Sequence, residues 1–89
     1  MQFIWDESKR QANLKKHGLD FAAAERVFAG VTTTTEDKRN YGGEQRFNTT
    51  GMQDVTVVVI THTETENEIR IISMRKAENH EAIQFFSYL

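Results

Sequence analysis

The spacing of hydrophobic and polar residues changes period twice along the chain. Gln2-Phe3-Ile4-Trp5 is a short apolar and aromatic run and predicts a strand. Asp6 follows as a helix N-cap, with Glu7 in the first turn, where negative charge suits the helix dipole. This helix is expected to end at His17, because Gly18 supplies a left-handed terminator. Its apolar stripe is thin, with Ala12 and Leu14 on divergent faces, so the caps define it rather than the periodicity. Asp20 caps a second helix in which Phe21, Ala24, Val27 and Phe28 share one face, and Gly30 closes it.

From Val31 the residues turn β-branched, and Val31 to Thr35 predicts a strand. Glu36 to Gly43 is polar, ends in two glycines and reads as a loop. Arg46 to Thr50 alternates with Phe47 inward, and Gly51 to Asp54 reads as a turn. Val55 to His62 is apolar on both faces in its middle, the mark of a central strand. Thr63 to Asn67 makes another turn and Ile69 to Met74 another strand. Ala82, Phe85, Phe86 and Leu89 stand at i, i+3, i+4 and i+7, which predicts a C-terminal helix with a broad apolar face.

The predicted order is β-α-α-β-β-β-β-α. Consecutive strands with short turns pair antiparallel, and the exposed apolar face of such a sheet must be covered by helices. The expected fold class is α+β, a two-layer sandwich of antiparallel sheet and helices. Residues 1–89 form one domain, since 89 residues leave no room for a second core. The 38% hydrophobic content and the nine aromatics (six Phe, two Tyr, one Trp) suffice for a small core and argue against disorder. There is no cysteine, hence no disulfide framework and no thiolate nucleophile. No apolar run approaches the ~18 residues of a membrane span, and no signal pattern opens the chain, so a cytoplasmic location is expected.

Eleven Lys and Arg against thirteen Asp and Glu give a net charge of -2. A nucleic-acid binder of this charge must use a local cationic cluster. The best candidate is Arg70-Ile-Ile-Ser73-Met-Arg75-Lys76, three cations and a hydroxyl where the last strand enters the last helix. Arginine presents a fork of N–H donors that fits a phosphate, and lysine acts as a point charge. Strict alternation sets Arg70 and Arg75 on opposite faces of the strand, unless its end twists. The competing reading is a solvated, charged corner.

Glu44 and Arg46 share a strand face, which by spacing alone favours a surface ion pair. His62 ends an apolar strand and titrates in the range useful for proton transfer, although a lone His at a strand end is more often structural. Lys15, Lys16 and His17 add positive charge at the end of the first helix, where the dipole favours it in any case. No metal-ligand spacing, phosphate loop or dinucleotide fingerprint stands out, so no cofactor is expected.

The residues Trp5-Asp6-Glu7, Lys9, Asn13, Lys16-His17-Gly18, Phe21, Ala24 and Val27-Phe28, then Gly43-Glu44 and Arg46-Phe47, then Ile69-Arg70-Ile71-Ile72-Ser73 and Arg75-Lys76-Ala77 together resemble the BrnT family of bacterial toxins. The resemblance implies a type II toxin–antitoxin toxin of RelE-like fold, a ribonuclease that halts translation. The partner it implies is a BrnA-like antitoxin with a ribbon-helix-helix DNA-binding domain, so that DNA is met only through the complex.

On this reading the reaction is metal-independent RNA cleavage. Arg70, Arg75 and Lys76 stabilise charge on the phosphate, His62 or Glu44 takes the proton, and Arg46 holds substrate or orients Glu44. Lys15, Lys16 and His17 extend the attraction for RNA. A second reading is a non-enzymatic interaction domain whose cations bind an acidic antitoxin segment and whose C-terminal apolar face docks a partner helix. A DNA-binding regulator acting alone is disfavoured, because the second helix offers only Arg26 as a basic residue.

Overall fold

A computed structural model describes residues 1–39 and 42–89. The predicted loop 36–43 therefore lies partly outside the described residues. The elements are β1 (Gln2–Trp5), α1 (Glu7–His17), a 3-10 turn (Phe21–Ala23), α2 (Ala24–Ala29), β2 (Thr33–Asp37), β3 (Arg46–Gln53), β4 (Thr56–Glu64), β5 (Glu68–Lys76) and α3 (Asn79–Ser87).

The caps act as the sequence indicates. The Asp6 side chain accepts from the Ser8 and Lys9 amides, and Gly18 adopts φ 71° to end α1. Asp20 caps the 3-10 turn by accepting from the Ala22 amide at 2.9 Å. Arg10 holds Asp20 through two bonds of 2.8 and 2.9 Å, which ties α1 to the start of the next helical segment.

The five strands form one sheet in the order β1-β5-β4-β3-β2. The pairs β2–β3, β3–β4 and β4–β5 are antiparallel, as their short connections require. The sheet is nevertheless mixed, because β1 joins β5 in parallel. That strand reaches the sheet by way of the helices and not by a hairpin, so no turn dictates its direction.

Phe21, Ala24 and Val27 pack with Val58, Ile60, Ile69, Ile71 and Met74 to make the core between the helical layer and one sheet face. Asn13 fastens α1 to this layer. Its Nδ2 donates to the Leu19 and Met74 carbonyls, both at 3.0 Å, and its Oδ1 accepts from the Met74 amide at 3.1 Å. β1 pairs with β5 only as far as Trp5↔Ile71. Beyond that point Asn13 satisfies the edge that a longer strand would have paired, which a buried backbone demands.

Two local expectations change. Gly51 is not in a turn but inside β3, which runs to Gln53 before a tight reversal at Asp54, itself at φ 53°. A Cβ at Gly51 would stand 2.8 Å from Val27 Cγ1, so the glycine permits close approach of α2 to the sheet. The apolar face of α3 is also narrower than its periodicity suggests. Phe85 is buried, but Phe86 is 51% and Leu89 67% exposed. This helix lies on the other side of the sheet from α1 and α2, where it meets mostly polar side chains.

Candidate functional site

Strand alternation divides the sheet into two chemically different faces. On β4, Val58, Ile60 and His62 point into the core, and Val59, Thr61 and Thr63 point the other way. The outward partners of these three on β5 are Arg75, Ser73 and Arg70. Arg70 and Arg75 therefore share a face despite their odd spacing. The cause is a β-bulge: Thr61 pairs with Ser73 and His62 with Ile71, which leaves Ile72 without a partner and resets the alternation. Lys76 pairs with Val58 and so belongs to the core-side row. It does not join the arginines, which corrects the expectation of one pocket built from three cations.

The same outward face receives Arg46, Asn48 and Thr50 from β3, and Thr33, Thr35 and Asp37 from β2. Two arginine centres stand on it. In the first, Glu44 bridges two guanidinium groups, accepting from Arg46 Nε at 3.0 Å and from an Arg70 terminal nitrogen at 2.7 Å. The hydrogen bond from Arg46 holds the Glu44 carboxyl below its usual range, with the charges of Arg70, Arg46 and Lys9 acting in the same direction. Glu44 is thus firmly ionised at neutral pH.

In the second centre, Arg75 donates from both terminal nitrogens to Glu81 of α3, at 2.7 and 2.9 Å. This bond, with a further one from the Glu78 amide at 2.8 Å, holds the Glu81 carboxyl down to about 2. An end-on pair of this kind leaves the Nε edge of the guanidinium for a second anion. Arg39 lies close enough for its charge to act on Arg75, and it makes its own bidentate pair with Asp37 at 3.0 and 2.7 Å. The sequence pattern places Arg39 in a loop and does not single it out. The only available signal was its i+2 spacing from Asp37.

His62 is the second correction. It is 0% exposed, wedged between Phe28 and Phe47 with ring centroids 5.1 and 5.9 Å away. Its Nε2 shares a 2.7 Å hydrogen bond with the Thr49 hydroxyl. Burial in this apolar layer depresses its pKa to about 4. It points into the core, away from the arginine face, where it packs between the two rings. Lys15 and Lys16 are exposed on α1, and His17 beside them is half-buried. Among the described residues no hydrogen bond or ion pair joins them to Arg70 or Arg75. Among the described residues no three His, Asp or Glu side chains converge as a metal-binding group.

The comparisons with known proteins now bear on this face. Residues 5–81 match the model of a family described as the ribonuclease toxin, BrnT, of type II toxin–antitoxin systems. The chain belongs to the BrnT toxin family. The crystal structure of the Brucella abortus ribonuclease toxin BrnT superposes with a TM-score of 0.68 at 29% sequence identity, covering 89% of this chain and 99% of that one. No curated protein matches the chain. The BrnT match takes in both arginine centres, since Arg39, Glu44, Arg46, Arg70, Arg75 and Glu81 all fall within it. It stops short of most of α3. Among the described residues of this BrnT-family chain no helix is long and apolar enough to cross a membrane.

Proposed function

We propose that this chain is the toxin of a type II pair and cleaves RNA, without a metal ion, on the outward face of its sheet. The observation that carries the reading is the bulge at Ile72, which brings Arg70, Ser73 and Arg75 to one face beside Arg46 and Glu44. The 2′-hydroxyl of one nucleotide attacks the adjacent phosphorus. The 2′-O–P bond forms and the 5′-O–P bond breaks, leaving a cyclic phosphate and a 5′-hydroxyl that takes its proton from water. Negative charge grows on the non-bridging oxygens, and Arg70 and Arg75 stabilise it.

Glu44, ionised and exposed, receives the proton of the attacking hydroxyl, and Arg46 fixes its orientation. The hydrogen bond that orients Glu44 also weakens it as a base, so the arginines supply the greater share of the rate. Such cleavage of translated RNA arrests protein synthesis. The partner is a BrnA-like antitoxin whose ribbon-helix-helix domain carries the complex to DNA, and it inhibits by covering the arginine face.

The test is purified protein incubated with a mixed-sequence RNA, with and without EDTA. Cleavage unaffected by EDTA and lost in Arg70→Ala supports the reading. Arg70→Ala cutting as fast as wild type, with an unchanged circular dichroism spectrum, overturns the role given to that arginine.

A second reading, a binding domain with no activity of its own, draws on the exposed Ile83, Phe86, Tyr88 and Leu89, a wide apolar surface for so small a chain. Coexpression with the product of the neighbouring gene separates the two. Complex formation with no cleavage by the free protein favours the second reading.

A further inference from the structure

Between α3 and the outward sheet face lies a cleft of about 380 Å³. This is within the ~300–1,000 Å³ typical of small-ligand sites. Its walls mix two kinds of surface. The buried ring of Phe85 and the exposed ring of Tyr88 come from α3. Opposite them stand the hydroxyls of Thr33, Thr35 and Thr50 and the amide of Asn48, with the Gln84 amide above. Among the described residues these threonine hydroxyls and the Gln84 side chain bond to no other protein group, and Asn48 engages only its oxygen, accepting from Thr61 at 2.7 Å. A cleft whose polar groups are left unpaired while aromatic rings flank it is suited to a planar, apolar-faced molecule with a hydrogen-bonding edge.

Glu81 connects this cleft to the arginine face, since it lines the one and grips Arg75 of the other. A phosphate on the open edge of Arg75 would therefore have its own nucleoside beside the mouth of the cleft. We propose that the cleft receives one nucleobase of the RNA strand and sets the sequence at which the strand is cut. Single-stranded RNA is read in this manner, by stacking on aromatic rings and by hydrogen bonds to base edges. The inference rests on the RNA-cleaving reading above and adds a specificity site to it. Gln84, Phe85 and Tyr88 lie beyond the residues 5–81 that match the family, so the α3 wall of the cleft is a feature of this chain that the family match does not describe.

The experiment maps cleavage ends on a mixed-sequence RNA for wild type, Gln84→Ala, Tyr88→Ala, Tyr88→Phe and the double variant Thr33→Val/Thr50→Val, each checked for folding by circular dichroism. The expected result is a base preference at one position that flattens about tenfold in Gln84→Ala and Tyr88→Ala and is kept in Tyr88→Phe, where the stacking ring remains. An unchanged preference in folded, active variants overturns the proposal.

A second measurement stands apart from cleavage. NMR titration with each nucleoside 5′-monophosphate is compared with ribose 5-phosphate. Shifts at Thr33, Thr50 and Gln84 with the nucleotides alone support the site even if the chain cuts no RNA. Equal shifts with ribose 5-phosphate, or none, overturn it. So does loss of antitoxin binding in these variants with no response to nucleotides, which would make the occupant a protein side chain.

Discussion

The two faces of one sheet divide structure from chemistry almost completely. Toward α2, β4 and β5 present Val58, Ile60, His62, Ile69, Ile71 and Met74, all buried. On the side of α3 the same strands present Thr61, Thr63, Arg70, Ser73 and Arg75, none of them buried, with the buried Val59 as the exception. Each face holds an ionisable group that the sequence makes attractive, yet burial treats the two oppositely. His62 is stripped of water and kept neutral, whereas the arginines are half-exposed and paired with carboxylates. A titratable residue near a strand end is therefore chemically informative only once its face is known.

The sharpest way to break this division is to remove charge from the outward face. Arg70→Ala or Arg75→Ala should lower RNA cleavage by roughly 10²–10³-fold, the usual scale for loss of a charge-stabilising donor. Stability should change by less than about 1 kcal/mol for Arg70→Ala, whose pair with Glu44 is solvent-exposed. Parallel urea melts and cleavage assays check both. A large stability loss in Arg70→Ala would mean that the outward face also holds the fold together.

The converse substitution is Asn13→Ala on the helical side. It leaves the Met74 amide and two carbonyls without partners and should cost about 3 kcal/mol, read as a fall in urea midpoint. Cleavage by the fraction that remains folded should be unaffected.

A pH titration of stability probes His62. The unfolded chain takes up its proton below pH ~6.5, but the folded chain does so only near 4, so the unfolded state binds more protons in between. Stability should thus be full above pH ~6.5 and fall by up to about 3 kcal/mol as pH drops toward 4. His62→Phe should flatten this slope while leaving cleavage in place. A cleavage rate that disappears with His62→Phe in folded protein would return that residue to the chemistry.

On the packing side, Gly51→Ala should cost about 1–3 kcal/mol of stability, because the added methyl meets Val27 at 2.8 Å. Differential scanning fluorimetry reads it as a lowered melting temperature.

Much of the fold was legible along the chain because caps and periodicity are local. Asp6, Gly18 and Asp20 do in the structure what their residue types imply, and the β-branched run of β4 is the sheet's central strand. The misjudged places are those where a distant neighbour decides. Gly51 reads as a turn residue because nothing nearby in sequence reveals Val27 above it. The partial exposure of α3 was missed because periodicity shows that a helix has an apolar face, but not what that face meets.

The candidate site divides in the same way. Glu44 and Arg46 were found as a pair by their spacing, but the reach of Glu44 to Arg70 spans 26 positions and is set by strand order. Composition and pattern by themselves determined the α+β class, the identity of the cations and, through a resemblance spread over most of the chain, the family. Which cations stand together was decided by one unpaired residue, Ile72, and by the crossing of α3 to the open face. The physical reason is that alternation along a strand assigns faces only while the register holds. A bulge is a property of two strands together, so neither strand's sequence announces it.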